Sequence, residues 1–567
     1  MIKRALCSLT IVALLGGCAY FESSAPLLGP PRMEPADRAE AMNHFVLGMM
    51  HEAGGRFEEA AAALEKATAY DPRNPGLYVS LMQIYFRMQA YEDVARTGKR
   101  AVELEPSDPS LWVVLGGAYL QLGRYDEAAE AFREVIQIDP DSPLGYEALV
   151  LAEESTNDLV ATLDIYDTLL EMQPDSATLR LQRGLNLLRM DNPEEARADL
   201  AKALELDPTL LRARYLLGVA HLEMNENKKA TDLLSTLVNQ SPTYQGAPEH
   251  LAAALARTGR VPRAMQAINI LFARGIAEPR HHIQAMYLNL RGGRYVAVER
   301  VEPPEEAPLL SQLFRALGRR GRGAAYKDLI RELDEIEGDL RDEVNTYFQD
   351  LFDLYGAQDT AAYFKEQLRT VHREDVSSRV TEILLARCLI ALDKLDEALY
   401  TLHASIRTHG PNATLHYYLA SIYKEQDELE GAEYHLKAAL ELDPNNTEYM
   451  NFLGFLYAEG NMKLEEAREL LERALQLDPG NPYYLDSLGR VYYRMGDADR
   501  AIELIRQAIL NMSTDDAILR KHLGDAYCLG GDLEKAIGQW ERAHRLDSDL
   551  DGVKEKLKKH QDKLSGR

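Results

Sequence analysis

The stretch PSLWVVLGGAYLQLGRYDEAAEAFREVIQIDPDS, residues 109–142, decides the fold. Trp112, Leu115, Gly116 and Tyr119 recur at i, i+3, i+4 and i+7, the spacing of one helix face. Gly123-Arg124-Tyr125-Asp126 is a polar turn, and Ala128 and Phe132 share the face of a second helix. Asp139-Pro140 closes that helix, because a residue before proline avoids the helical region. The stretch therefore predicts a pair of helices, A and B.

Working outward, Pro72, Pro106, Pro140, Pro174, Pro208 and Pro242 stand 34 residues apart, five equal intervals in a row. With the proline at position 32, position 8 is small (Gly48, Gly116, Gly184, Gly218) and position 20 is alanine (Ala60, Ala128, Ala196, Ala230). Small residues at both places let helix B approach helix A closely. Seven such units run over 41–278, the last of them weak. Five more run over 379–550, starting near 379, 413, 447, 482 and 517, with one extra residue expected in the turn 460–463. Between them, 279–378 reads as about three divergent helix pairs, with Pro303, Pro304 and Pro308 interrupting a helix B. Residues 551–567 form a lysine-rich helix and tail, suited to capping the last apolar face.

The set Trp112, Leu115, Gly116, Tyr119, Ala128, Phe132 and Pro140 resembles the tetratricopeptide repeat, whose length is 34. The resemblance implies an all-α fold, an α-solenoid forming a right-handed superhelix of helix-turn-helix repeats. Each unit buries its apolar face only against its neighbours and leaves a concave groove lined by helix A. Composition agrees: 46% hydrophobic and 27% charged residues suit a folded chain, and strand-like alternation is nearly absent.

The first residues read as an address. Lys3 and Arg4 precede the apolar run 5–15, which is too short to span a bilayer as a helix. Leu15-Gly16-Gly17-Cys18 resembles the bacterial lipoprotein signal. That implies a signal peptide over 1–17, acylation of Cys18, and, with Ala19 next, release to the outer membrane facing the periplasm. Residues 18–40 hold Pro26, Pro30, Pro31 and Pro35 and read as an extended tether.

The formal net charge of −26 excludes nucleic-acid backbones and anionic headgroups as natural partners. The region 257–327 is the exception, with 13 Lys and Arg against 5 Glu and Asp. Ion pairs to neighbouring acidic repeats account for it, or an acidic partner does. No nucleophile elbow, metal-binding pair or phosphate loop occurs, so no enzyme activity, cofactor, metal or small-molecule substrate is expected. Adjacent His281 and His282 diverge by about 100° on a helix and make a poor chelate. Glu58-Glu59 and Glu465-Glu466 suit the positive end of a helix dipole. Cys388 and Cys528 read as buried free thiols.

In the family the groove is formed by positions 2, 5, 9 and 12 of helix A. In the first block these include Phe45, Met49, Val79, Phe86, Val113 and Leu120, an apolar set. In the last block they include Tyr417, Asn451, Phe455, Tyr483, Asp486, Arg490 and Tyr493, a mixture typical of binding hot spots. The runs 451–455 and 485–496 resemble the closing repeats of outer-membrane tetratricopeptide lipoproteins, although Arg490 stands where those have tryptophan. Some such relatives are adaptors that bring a periplasmic carboxyl-terminal processing protease to cell-wall hydrolases. Others assist polysaccharide export or secretion machinery. The expectation is a membrane-tethered scaffold or adaptor, with an export assembly factor as the second reading and an enzyme site within 279–378 as a third.

Overall fold

In the computed structural model the structure describes residues 35–336, 340–374, 376–512 and 514–565. The signal peptide, Cys18 and most of the tether lie outside them. The chain is 79% helical, with helices in tandem and no strand among the described residues. Helix A of the quoted stretch is Pro109–Gln121 and helix B is Tyr125–Ile138. Asp108 caps helix A by accepting the Ser110 N–H at 2.9 Å, and Pro109 occupies the first turn, where its missing donor costs nothing. Asn74 and Ser142 cap the neighbouring A helices in the same way.

The period is written into the backbone as well. Positive φ angles fall at Gly55, Gln89, Gly123, Asn157, Asp191, Asn225, Gly259 and Gly293, one per turn between helices A and B at 34-residue spacing. In the 460–463 turn both Asn461 and Lys463 take positive φ, and the extra residue is absorbed there. Close approach explains the small position 8. A Cβ on Gly116 would meet Phe132 Cε1 at 2.5 Å, and one on Gly524 would meet the Trp540 ring at 2.6 Å. The alanines Ala60, Ala128, Ala196 and Ala230 are fully buried beneath that contact.

The described residues up to Leu179, with Thr514 and Asp515, form one compact unit, and those from Arg180 to Met512 and from Asp516 onward form another. In the first, each helix packs on its sequence neighbours around Leu64, Ile84, Leu111, Leu115 and Phe132. Its leading helix, Pro35–Ala53, leaves Met42, Val46, Met49 and Met50 exposed.

The second unit departs from nearest-neighbour stacking. After helix Pro279–Arg291, the next helix is only Tyr295–Val298, cut short before Pro303 and Pro304. Pro308–Gly321, Lys327–Arg331 and a 3-10 turn follow, and then Leu340–Glu343, a π-helical segment Val344–Phe348 and Gln349–Tyr355. This last segment folds back across repeats distant in sequence. Arg257 donates to the carbonyls of Asp353 and Leu354, each at 2.9 Å. Arg387 donates to Gln349 Oε1 at 2.5 Å, and Arg341 reaches Asn446 at 2.6 Å and Glu448 at 2.8 Å. Its apolar side joins an aromatic core of Tyr287, Phe314, Phe348, Phe352 and Phe364.

The basic stretch is largely paired within the fold. Arg319 and Arg322 hold Glu299 at 2.6 and 2.8 Å, and Arg320 holds Glu374 at 3.2 Å. Arg315 donates to the Val301 carbonyl, and Arg291 lies over Tyr363 at 5.3 Å. His281 is buried, whereas His282 is half-buried and bonds the Glu302 carbonyl. Glu58, Glu59, Glu465 and Glu466 all sit in the first turn of a helix B. Cys388 is a buried free thiol that burial pushes up to about 12, while Cys528 is only half-buried.

Candidate protein-interaction surface

The sequence-derived groove residues separate into those absorbed by packing and those left available. Phe45, Val79 and Phe86 are half-buried against the core of the first unit, with Phe86 edge-on to Tyr91 at 5.8 Å. Val113 is half-buried and Leu120 buried. Met49 alone of the first-block set is exposed.

In the last block, Tyr417 lies in an aromatic cluster with Tyr449 at 5.4 Å and Phe452 at 5.9 Å, and burial pushes its phenol up to about 12. Asn451 is half-buried with its side-chain oxygen unpartnered. Lys424 sits 5.6 Å above the Phe455 ring. Arg490 is half-buried with Nε unpartnered, Tyr493 is half-buried, and Tyr483 is 60% exposed. Asp486 is turned inward. It is buried and pairs with buried His522 of the following repeat at 2.9 Å. Available for contact are therefore Tyr483, Arg490 and Tyr493, an aromatic and guanidinium set of the kind that anchors interfaces.

The inward turn of Asp486 decides which variant tests the surface. Replacing Tyr483 with alanine should leave the unfolding midpoint nearly unchanged, since exposed substitutions cost about 0.5 kcal/mol or less, and adding Arg490→Ala, at a half-buried position, should cost about 1 kcal/mol more. Partner capture should weaken by about tenfold or more, which a quantitative pull-down measures. Asp486→Ala is unsuitable, because it strands a buried histidine.

Beside this face, helices Ala413–Glu425 and Leu429–Leu442 bury a histidine pair. His416 Nδ1 and His435 Nδ1 are 2.8 Å apart, with Tyr423 stacked on His435 at 5.3 Å. Burial, with His416 and His403 nearby, lowers His435 to about 4. Burial likewise lowers His416 and His403. A base held neutral in the fold contributes stability above its unfolded value near 6.5, and loses it as pH falls from there towards about 4. Denaturant titrations at about pH 7.5 and about pH 4.5 should differ by about 1–2 kcal/mol after allowing for solvent screening, and His435→Phe should flatten the difference.

Models of the tetratricopeptide repeat match residues 83–143, 383–447 and 487–550, residues 187–247, 423–491 and 456–517, and residues 43–74, together more than half of the chain. The chain is a tetratricopeptide-repeat protein. A peroxisomal targeting signal receptor from Candida albicans is 40% identical over 77 residues, 13% of this chain. The chain thus spans only 13% of that relative's length. A structure of Naa15/Naa10 bound to HypK-THB is 14% identical, covering 93% of this chain and 96% of that one with a TM-score of 0.37. A Cut9-Hcn1 tetramer of the APC/C is 13% identical, covering 86% and 98% with a TM-score of 0.35. MamA is 21% identical, covering 30% and 92% with a TM-score of 0.28. No enzyme family is indicated, and repeats of this kind form protein-interaction scaffolds.

Sequence reading missed one feature of the tetratricopeptide array. A cavity of about 870 Å³ is lined by Tyr215, Glu249, Arg280, Gln284 and Asp350, among others. The first three occupy positions 5, 5 and 2 of units starting at 211, 245 and 279. The same groove rule, applied to the last two units of the first block and to the helix pair starting at 279, reaches them. Asp350, from the divergent segment, carries no such signal.

Proposed function

We propose that the protein is a lipid-anchored scaffold of the bacterial envelope. In this reading it holds two proteins together and presents cell-wall hydrolases to a periplasmic carboxyl-terminal processing protease. The observation that carries the reading is the pairing of Leu15-Gly16-Gly17-Cys18 with an array that offers Tyr483 and Arg490 to a partner. No helix among the described residues is long and apolar enough to cross a membrane, and in this reading Cys18 carries the attachment. Several acyl chains on that residue anchor stably where one does not. Tethering also raises the effective concentration of two bound proteins for each other.

Metabolic labelling with radioactive palmitate tests the anchor. Label should enter the parent, and Cys18→Ser should abolish it and release the protein from the membrane fraction. Affinity capture from envelope extract tests the adaptor role. Recovery of a protease together with a cell-wall hydrolase is expected, whereas recovery of export proteins alone would replace this reading with an assembly role.

A further inference from the structure

We infer that the cavity between the A helices of the units at 211, 245 and 279 and the returning segment is a receptor for one basic side chain, arginine or lysine, carried on a partner peptide. The inference rests on the scaffold reading only in taking the ligand to be a protein.

The repeat itself builds the site. In this array, position 5 of one helix A meets position 6 of the next. Tyr215 lies 3.4 Å from His250, and Asp486 lies 2.9 Å from His522. Glu249 and Gln284 hold the equivalent pair of places, yet they do not satisfy each other. Gln284 is 99% buried, with neither its side-chain oxygen nor its nitrogen partnered. Glu249 has one oxygen bonded and the other, Oε2, buried without a partner. Gln349–Tyr355 also lines the cavity and contributes Asp350, whose Oδ2 is buried and makes no hydrogen bond. Buried polar atoms are rarely left unpaired, so three open acceptors at one cavity, beside the open Gln284 amide N–H, favour a ligand that brings several donors.

The charge of that donor follows from Glu249. The Glu278 backbone N–H donates to His281 Nδ1 at 2.6 Å, so His281 carries its proton on Nε2 and donates it to Glu249 Oε1 at 2.9 Å. Burial is the largest influence on the Glu249 carboxyl and raises it, but the His281 hydrogen bond, a backbone hydrogen bond and the neighbouring His281 and His250 together outweigh it and leave the group below the ordinary carboxylate value. Glu249 is therefore a half-buried anion whose Oε2 is buried and unanswered. The cavity is lined by four carboxylates, Glu249, Glu278, Asp350 and Asp353, against two arginines, Arg212 and Arg280. Both arginines are exposed at the rim. Arg280 comes only to 3.7 Å of Asp350 Oδ2, outside hydrogen-bonding range, and pairs with Glu278 at 3.5 Å. Tyr215 and Tyr244, their rings 5.4 Å apart, also line the cavity, and aromatic rings there suit an aliphatic stem and its cation. A guanidinium, with five donors in a planar fork, suits such an acceptor set.

Equilibrium dialysis of the purified full-length chain against blocked tripeptides decides the matter. Acetyl-Gly-Arg-Gly-amide and its lysine counterpart should bind at least about tenfold more tightly than Gly-Gln-Gly, with the difference shrinking as salt rises. Asp350→Asn and Glu249→Gln should each remove most of the preference. If Glu249→Gln fails to fold because His281 loses its acceptor, Asp350→Asn still decides. Equal binding of the glutamine peptide, preference for Gly-Glu-Gly, or an unchanged preference in a folded Asp350→Asn variant would overturn the inference. So would agmatine binding as tightly as the arginine peptide, which would assign the cavity to free amines. Continued capture of a partner through Tyr483 and Arg490 in those cases would leave the scaffold reading standing.

Discussion

Replacing Phe364 with alanine should lower the stability of the second unit by about 3–5 kcal/mol, the largest single-residue effect expected in this protein. Phe364 is fully buried and is the hub of the aromatic core. Its ring lies 4.9 Å from Phe348, 5.3 Å from Phe314, 5.3 Å from Tyr363 and 5.6 Å from Tyr287. Those rings come from four separate helical segments, so no single neighbour can move to fill the space. The loss combines the transfer energy of a phenyl group with an unfilled cavity. Phe364→Leu should cost less than half as much, since it leaves a smaller void. Hydrogen exchange measured by mass spectrometry is the suitable readout, because long repeat arrays need not unfold in one step. Protection should fall across 279–391 and stay unchanged near Leu64 and Leu111.

Glu343→Ala should destabilise the same region by about 2–4 kcal/mol. Helix Pro308–Gly321 begins after Ala307, which has no side chain able to cap it. The buried Glu343 carboxylate accepts the Leu309 and Leu310 N–H groups at 3.1 and 2.8 Å. Removing it strands two buried donors, each costing about 1–3 kcal/mol. Negative charge at that helix start is also favoured by the dipole. Glu343→Gln retains one acceptor oxygen without the charge and should recover part of the loss. Chemical denaturation of the three proteins at one pH measures the order.

These two residues mark where the sequence stops being readable. The end blocks were legible because the repeat makes every contact local. Gly116 is small because Phe132, sixteen positions on, needs the space, and the same offset recurs at Gly524 and Trp540. Prolines and small residues at a fixed period therefore carried both the helix pairs and their packing. Glu343 caps a helix 34 residues away, and Arg257 bonds carbonyls nearly a hundred residues on. Such contacts depend on where the returning segment settles, and no periodicity encodes that. The 3-10 turn Glu332–Glu335 and the π-helical stretch Val344–Phe348 are departures from the α-helix of the kind that mark a chain under strain.

The groove was legible to a similar depth. The register located Tyr483, Arg490 and Tyr493 on helix A, and it located Asp486 there equally well. It could not show that His522, at position 6 of the next unit, claims the Asp486 carboxylate. Pairing between successive A helices is the missing rule. The same rule identifies Glu249 and Gln284 as a pair left open.

Site-specific photo-crosslinking in intact cells tests most directly whether the helix A face is the receptor surface. A photoreactive residue at Tyr483 should yield a discrete adduct with another envelope protein. The same residue at Tyr434, 68% exposed on a helix B, should yield none. No adduct at Tyr483, or the same adducts at both positions, would contradict the account.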